Sequence, residues 1–154
     1  MNNDSDQSYL PFNDIKLAYR EIYIILAPPR SSSTAFAWVF WECPSINFYC
    51  HEPFDSVYHQ QLDLRFAEKA LLHPLDLNRF CGPKNETNLL IKDMTFQVGK
   101  NFLHLVSLTS KPILFIIQNP KLSILSRMQK RQESKFWSTI CFTEHYQHEH
   151  SHSL

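Results

Sequence analysis

The sequence predicts an α/β fold in which a parallel sheet of about four strands lies between layers of helices. Short, almost continuous apolar runs rich in β-branched residues recur along the chain, as in strands covered on both faces. Longer segments with helical spacing separate these runs, and strands that alternate with helices are typical of a parallel sheet. A length of 154 residues and a hydrophobic content of 44% fit one globular domain of ordinary size.

The first half of the chain contains two strand–helix repeats. Residues 22–26 predict the first strand, and a turn rich in proline and serine separates it from a buried helix over 34–43. Residues 46–50 predict a second strand, followed by a helix over 54–72. The segment 73–88 contains two prolines and a glycine, so a loop is expected there.

The second half continues the alternation. Residues 89–91 form a third apolar run, and helical spacing follows over 96–108, with Gly99 as its weak point. Residues 112–117 are the clearest prediction of a buried strand in the chain. The proline that opens residues 120–136 suits the first turn of a further helix.

The predicted domain ends before a histidine-rich tail. Residues 1–137 are assigned to a single α/β domain, and the polar residues 138–154 are expected to be disordered. The tail contains four histidines, but it offers no fixed ligand geometry, so no metal site is predicted there.

Composition argues against several classes of protein. Fifteen Lys and Arg residues balance fifteen Asp and Glu residues, which removes the electrostatic argument for a nucleic-acid partner. No apolar run approaches the ~20 residues of a membrane span, and the N-terminus is acidic and polar, unlike a secretory leader. The four cysteines form no C-x-x-C pair. These features predict a cytoplasmic protein with reduced thiols.

The turn after the first strand, residues 28–34, is the first candidate site because ligands of open α/β folds bind beyond the carboxyl ends of the strands. A helix beginning near Ser32 directs N–H groups into this turn, and Arg30 adds a permanently charged donor. The residues alone leave two interpretations open: an oxyanion cradle for phosphate or sulfate, and an ordinary N-cap beside a surface arginine. A nucleoside-triphosphatase P-loop is disfavoured, because the turn lacks glycine and Ser33 replaces the lysine.

Four segments, in order, resemble sulfotransferases. The sequence P-R-S-S-S-T at 29–34 resembles the loop that holds the 5′-phosphosulfate in that family. H-E-P-F at 51–54 follows the second predicted strand, and L-I-K-D-M at 90–94 ends the third. Residues 116–127 are similar to the family's motif for the 3′-phosphate. The resemblance extends over about 22–127.

This resemblance implies a P-loop-like fold and a nucleotide-binding transferase. The implied reaction moves a sulfuryl group from 3′-phosphoadenosine 5′-phosphosulfate, the co-substrate, to a hydroxyl or amine acceptor without a metal. By resemblance, five loop residues would hold the 5′-phosphosulfate: Arg30, Ser31, Ser32, Ser33 and Thr34. Gln118 and Ser126 fall at the positions that hold the 3′-phosphate. Gln118 replaces the family's arginine, a change that could cost ~1–2 kcal/mol of binding.

Acceptor activation requires a base near the acceptor's hydroxyl or amine. In cytosolic sulfotransferases a K-T-H motif ends the third strand; here Lys92 matches the lysine, and Met94 occupies the position of the histidine. Asp93 and Glu52 are the candidate bases, and His51 is the third.

The departures from the family leave a second hypothesis open. Sulfotransferase domains usually extend beyond the length of this chain and carry a basic, glycine-containing segment over the 3′-phosphate. The alternative is therefore a non-catalytic remnant that binds a nucleotide or anion, completed by a partner or by self-association. Gln118 and Met94 favour the remnant. Four retained residues favour an active enzyme: Arg30, Thr34, Lys92 and Ser126.

Overall fold

The computed structural model describes residues 11–79, 82–122 and 124–131. In chain order its elements are α1 (Asn13–Ala18), β1 (Glu21–Ala27), α2 (Ser33–Trp41), β2 (Phe48–His51), α3 (Asp55–His59), α4 (Arg65–Leu72), β3 (Leu75–Asp76), β4 (Asn88–Met94), α5 (Thr95–Val98), α6 (Phe102–Val106) and β5 (Leu114–Phe115). Single 3-10 turns occupy Lys84–Glu86 and Gly99–Asn101. Residues 120–122 and 124–131 are also helical.

The five strands form one mostly parallel sheet in the order β3-β2-β4-β1-β5. Strands β2, β4, β1 and β5 run parallel, and β3 pairs antiparallel with β2. The predicted α/β class is therefore confirmed, but the expected number of about four strands was too low. Strand β3 was missed because it has only two residues and lies in a segment whose prolines and glycine predicted a loop.

Helices flank the sheet on both faces because alternate strand residues point in opposite directions. Ile24 and Leu26 pack in one core with residues of α1, α4, α5 and α6, including Leu71. Ile25, between them, packs in the other core with Ala37 of α2. Since both faces of β1 are covered, its sequence is a continuous apolar run.

The order of the strands creates a crevice at the carboxyl ends of the central parallel strands. From β1 the chain passes through α2 to β2, which lies beyond β4, whereas from β4 it passes through α5 and α6 to β5, which lies beyond β1. The connections that follow β1 and β4 therefore start from the carboxyl ends of two neighbouring strands and run in opposite directions across the sheet. Such a switch point is where open α/β sheets bind ligands.

Two predicted helices are each interrupted. The helix expected over 54–72 is divided into α3 and α4 near Gln61, which has φ 53°. The helix expected over 96–108 is divided at Gly99, which has φ 44°, and this confirms Gly99 as the weak point. Helix α1 was not predicted, although its Ile15 is fully buried.

The prediction of a buried strand over 112–117 was wrong. Only Leu114 and Phe115 form strand β5, and both are exposed. The run is strongly apolar, but among the described residues β5 pairs only with β1, at the edge of the sheet. An apolar run therefore predicted the strand's position but not its burial.

The chain divides into two compact units between Ile117 and Gln118, and the sheet with α1–α6 belongs to the first. The assignment of residues 1–137 to one domain stays a prediction, and the tail over 138–154 lies outside the described residues. None of the described helices combines the length and apolar character needed to cross a membrane. Cys50 is buried and Cys43 partly buried, both as free thiols.

Candidate functional site

The turn between β1 and α2 adopts an unusual backbone. Arg30 has φ 62° and Ser32 has φ 58°, so two residues with side chains occupy the left-handed region. Each such residue costs on the order of 1–3 kcal/mol and persists only where the surrounding structure imposes it. The absence of glycine therefore did not prevent positive φ in this turn. Successive N–H groups in turns of this kind form concave anion-binding nests.

Helix α2 begins at Ser33 and directs its amino end toward the turn. The helix has nine residues, and the first N–H groups at its amino end have no acceptors within the helix. The N-cap residue Ser32 makes no side-chain capping hydrogen bond. Ser32 therefore does not cap the helix with its side chain, and the interpretation of the turn as an oxyanion cradle stays a prediction.

Ser31, directly before the N-cap, is 6% exposed, and its hydroxyl group is buried without a hydrogen-bond partner. An unsatisfied buried polar group costs about 1–3 kcal/mol. The turn thus combines left-handed backbone, a helix amino end and an unpartnered hydroxyl group. Ser33 is also buried, whereas Arg30, Ser32 and Thr34 are exposed.

Lys92 lies fully buried near the carboxyl end of β4. Its ammonium group donates a hydrogen bond to the carboxylate of Glu52, which follows β2. The backbone N–H of Glu52 donates in turn to the carbonyl oxygen of Lys92 at 2.7 Å. Burial acts to raise the pKa of Glu52, but the hydrogen bond and charge of Lys92 outweigh it and hold that pKa below its usual value.

Asp93 is also fully buried, and it joins β4 to the start of α3. Its two carboxylate oxygens accept hydrogen bonds from the backbone N–H groups of Phe54 at 3.0 Å and Met94 at 2.6 Å. Burial raises the pKa of Asp93 to about 7, against the opposing effect of these two bonds. The carboxyl group therefore changes charge near neutral pH, but both of its oxygens already serve the backbone.

His51 ends β2 with a half-exposed imidazole. Its Nδ1 lies 2.7 Å from the hydroxyl oxygen of Tyr49, and its Nε2 lies 3.4 Å from Oε1 of Glu52. Burial, followed by the charge of Lys92, lowers the pKa of His51 below its usual value. The ring is therefore mostly neutral at pH 7, with one nitrogen facing the carboxylate.

The register of the sheet brings three predicted segments together at the carboxyl ends of the parallel strands. Ala27, the last residue of β1, is level with Met94, and His51 is level with Lys92. The turn after β1, the end of β4 and the end of β2 are consequently neighbours. Gln118 and Ser126 belong to the second compact unit, where both are partly buried and both make contacts of their own.

Sequence reasoning missed Gln97, a buried amide at this edge. Its Nε2 donates to Oδ1 of Asp55 at 2.6 Å and lies 3.3 Å from Oε2 of Glu52. It therefore holds the carboxylate that also binds Lys92. The only signal in the sequence was a glutamine within an apolar periodic segment.

Sequence reasoning also missed an aromatic cavity of about 490 Å³ beside α2. Residues of α2, β2 and the segment that follows α4 line it, among them Thr34, Trp38, Trp41, Tyr49 and His51. The large aromatic side chains were assigned to a buried helix, yet Trp38 is 55% exposed. Within the described ranges, no group of three His, Cys, Asp or Glu side chains is placed to hold a metal ion.

Comparisons with known protein families, with curated proteins and with solved structures gave no match. The site is therefore interpreted from its own geometry.

Proposed function

We propose that this chain is a sulfotransferase-like protein whose β1–α2 turn binds the 5′-phosphosulfate of 3′-phosphoadenosine 5′-phosphosulfate. The observation that carries the proposal is the buried, unpartnered hydroxyl group of Ser31 in a left-handed turn at the amino end of α2. A tetrahedral oxyanion supplies acceptors for that hydroxyl group, for the first N–H groups of α2 and for the guanidinium of Arg30.

The switch point of the sheet supports the proposed P-loop-like fold. The turn lies at the carboxyl end of β1, beside the end of β4. Lys92 lies near the end of β4, the strand next to β1, and Glu52, which could act on an acceptor, follows β2, the strand beyond β4. A donor on the turn and an acceptor near Glu52 would therefore meet at one edge of the sheet.

In the proposed reaction the acceptor oxygen or nitrogen forms a bond to sulfur while the bond from sulfur to the phosphate oxygen breaks. Adenosine 3′,5′-bisphosphate leaves with the electron pair, and the acceptor's proton passes to the carboxylate of Glu52. Arg30 offsets the negative charge that develops on the phosphate oxygen. Lys92 keeps Glu52 ionised and in place.

The second candidate is a nucleotide- or anion-binding protein without catalysis. Specific contacts favour it: the ammonium group of Lys92 is bound to Glu52, and both oxygens of Asp93 accept backbone hydrogen bonds. A group committed to such bonds is a poorer proton acceptor. Binding and transfer must therefore be measured separately.

The first test is a calorimetric titration of the full chain with adenosine 3′,5′-bisphosphate, with ATP as the competing ligand. We expect selective binding, and Arg30→Ala should weaken it by ~1.5–3 kcal/mol, the range for a hydrogen bond to a charged group. Arg20→Ala is the matched control, because Arg20 is exposed just before β1, at the end of that strand opposite to the turn. Equal losses in the two variants would mean that Arg30 acts only through net charge.

Ser31→Ala tests the hydroxyl group itself. It should weaken nucleotide binding by about 1 kcal/mol, with Ser110→Ala as the control at an exposed serine before β5. Release of adenosine 3′,5′-bisphosphate in the presence of an acceptor then separates the enzyme from the binding protein. Failure of the folded chain to bind the nucleotide would refute the enzyme and leave, of the second candidate, only a protein that binds another anion.

A further inference from the structure

The aromatic cavity of about 490 Å³ is lined in part by α2, the helix that follows the proposed anion site. Thr34, in the first turn of α2, and Trp41, the last residue of α2, both line it. His51 lines the cavity from β2. One compartment therefore touches the turn after β1, the end of β2 and the aromatic side chains between them.

Aromatic side chains form one wall of the cavity. The rings of Trp38 and Trp41 have centroids 6.2 Å apart, and those of Trp41 and Tyr49 have centroids 4.9 Å apart at 67°. Trp38 leaves 55% of its surface exposed to solvent. A flat ring in the cavity would cover this surface.

One of the residues that line the cavity, Trp41, has an unsatisfied donor. The indole Nε1–H of Trp41 is buried and has no hydrogen-bond partner. A buried donor without an acceptor is energetically unfavourable, and a bound ligand that supplies an acceptor removes that penalty. The wall therefore favours a ring that carries a hydrogen-bond acceptor over a purely hydrocarbon ring.

We propose that this cavity binds planar ring compounds bearing a hydrogen-bond acceptor that receives the Nε1–H of Trp41, and that such compounds are the acceptor class of the transfer. The second half of this inference rests on the proposed function. A hydroxyl or amine on the ring would face Thr34 and His51, where the donor sulfur and the carboxylate of Glu52 are expected. The new bond to sulfur forms there, the bond from sulfur to the phosphate oxygen breaks, and the acceptor's proton passes to Glu52.

The test titrates the full chain with 3-hydroxypyridine and with phenol, which differ by one ring acceptor, and follows binding by calorimetry. We expect 3-hydroxypyridine to bind about three- to tenfold more tightly than phenol, the range for one net hydrogen bond. Trp41→Phe keeps an aromatic ring and removes the N–H group, so this preference should fall to about one. In the matched control, Trp38→Phe, both compounds should bind more weakly and the preference should remain.

A second measurement is independent of the stability of Trp41→Phe. The indole N–H resonances of the unmodified protein are recorded by NMR, and those of Trp38 and Trp137 are assigned by substituting each with Phe. On addition of 3-hydroxypyridine, the remaining resonance, that of Trp41, should shift downfield, and phenol should leave it nearly unchanged. Equal affinity for the two compounds, a preference that survives Trp41→Phe, or an unmoved Trp41 resonance would overturn the ring site.

A parallel titration with adenosine 3′,5′-bisphosphate separates the ring site from the proposed function. Ring binding without nucleotide binding would leave the ring site standing and overturn its role as an acceptor site. Nucleotide binding without ring binding would support the anion site and overturn the inference. Binding of both, with sulfation of 3-hydroxypyridine in the presence of the sulfate donor, is the expected result.

Discussion

Replacing Lys92 with methionine should destabilise the protein strongly, because Lys92 is fully buried and its partner Glu52 is largely buried too. Removal of one member of a buried ion pair costs about 3–5 kcal/mol, since the other charge is left without compensation. The Glu52 side chain is 18% exposed, so water reduces this cost toward the lower end. We therefore expect a loss of about 3 kcal/mol at pH 7, or a melting temperature about 6–12 °C lower.

The assay is urea denaturation followed by circular dichroism, with Lys100→Met as the control at an exposed lysine. The double variant Lys92→Met, Glu52→Gln removes both charges and should be at least ~1 kcal/mol more stable than Lys92→Met alone. A single variant within ~0.5 kcal/mol of the unmodified protein, or a double variant no better than the single, would refute the reasoning.

The dependence on pH provides a second check on the same pair. In the unmodified protein the pKa of Glu52 is lowered, so its contribution is present above the unfolded pKa and is lost as the pH falls through the folded one. In Lys92→Met, burial dominates and disfavours the ionised carboxylate. The difference in stability between Lys92→Met and the unmodified protein should therefore shrink as the pH falls toward about 4. A deficit that grows on acidification would contradict this assignment.

Three further predictions concern single positions. Burial raises the pKa of Asp93 to about 7, so the folded state binds more protons than the unfolded state between about pH 4 and 7, and stability falls as the pH rises through that window. Asp93→Asn should flatten the dependence of the free energy of unfolding on pH in this window, as measured by urea denaturation. The variant should also be about 1–3 kcal/mol less stable, because the amide nitrogen cannot accept one of the two backbone hydrogen bonds. An unchanged slope would contradict the prediction. Gly99→Ala should lower stability by about 1–3 kcal/mol in a thermal melt, because Gly99 has φ 44° and ψ −120°, a backbone conformation that residues with side chains rarely adopt. No atom lies within 4 Å of the added carbon, so the loss comes from the backbone, and unchanged stability would contradict the prediction. If Gln118 marks a weakened 3′-phosphate contact, Gln118→Arg should tighten adenosine 3′,5′-bisphosphate binding about tenfold by calorimetry and increase its sensitivity to salt; unchanged affinity would count against that role.

The central strands could be predicted from sequence because burial on both faces makes them continuous apolar runs. Strands β1, β2 and β4 lie within a few residues of their predicted positions. Strand β3 could not be predicted, since two residues carry no periodicity, and β5 was predicted too long because an apolar run does not specify its neighbours. Residues in the left-handed region near 61 depend on tertiary packing that local propensity does not encode.

The candidate site was only partly predictable, for a related reason. Arg30, Glu52 and Lys92 could be found because the carboxyl ends of parallel strands share an edge, so position along the chain implies proximity. Lys92 and Glu52 lie 40 positions apart in the sequence, so their pairing depends on which strands are neighbours in the sheet. The unpartnered indole of Trp41 depends on how α2 packs against β2, which no local pattern specifies.

The energetic costs in the turn after β1 argue for a ligand there. Two residues with side chains have positive φ, and each costs on the order of 1–3 kcal/mol. The hydroxyl group of Ser31 is buried without a partner, at a further ~1–3 kcal/mol. An ordinary turn could avoid these costs with glycine at 30 and 32 and alanine at 31. A bound oxyanion offsets the cost of the unsatisfied hydroxyl group, and the left-handed backbone holds the N–H groups in the concave arrangement that such an anion requires. The concentration of these costs at the switch point of the sheet is the structural argument behind the proposed anion site.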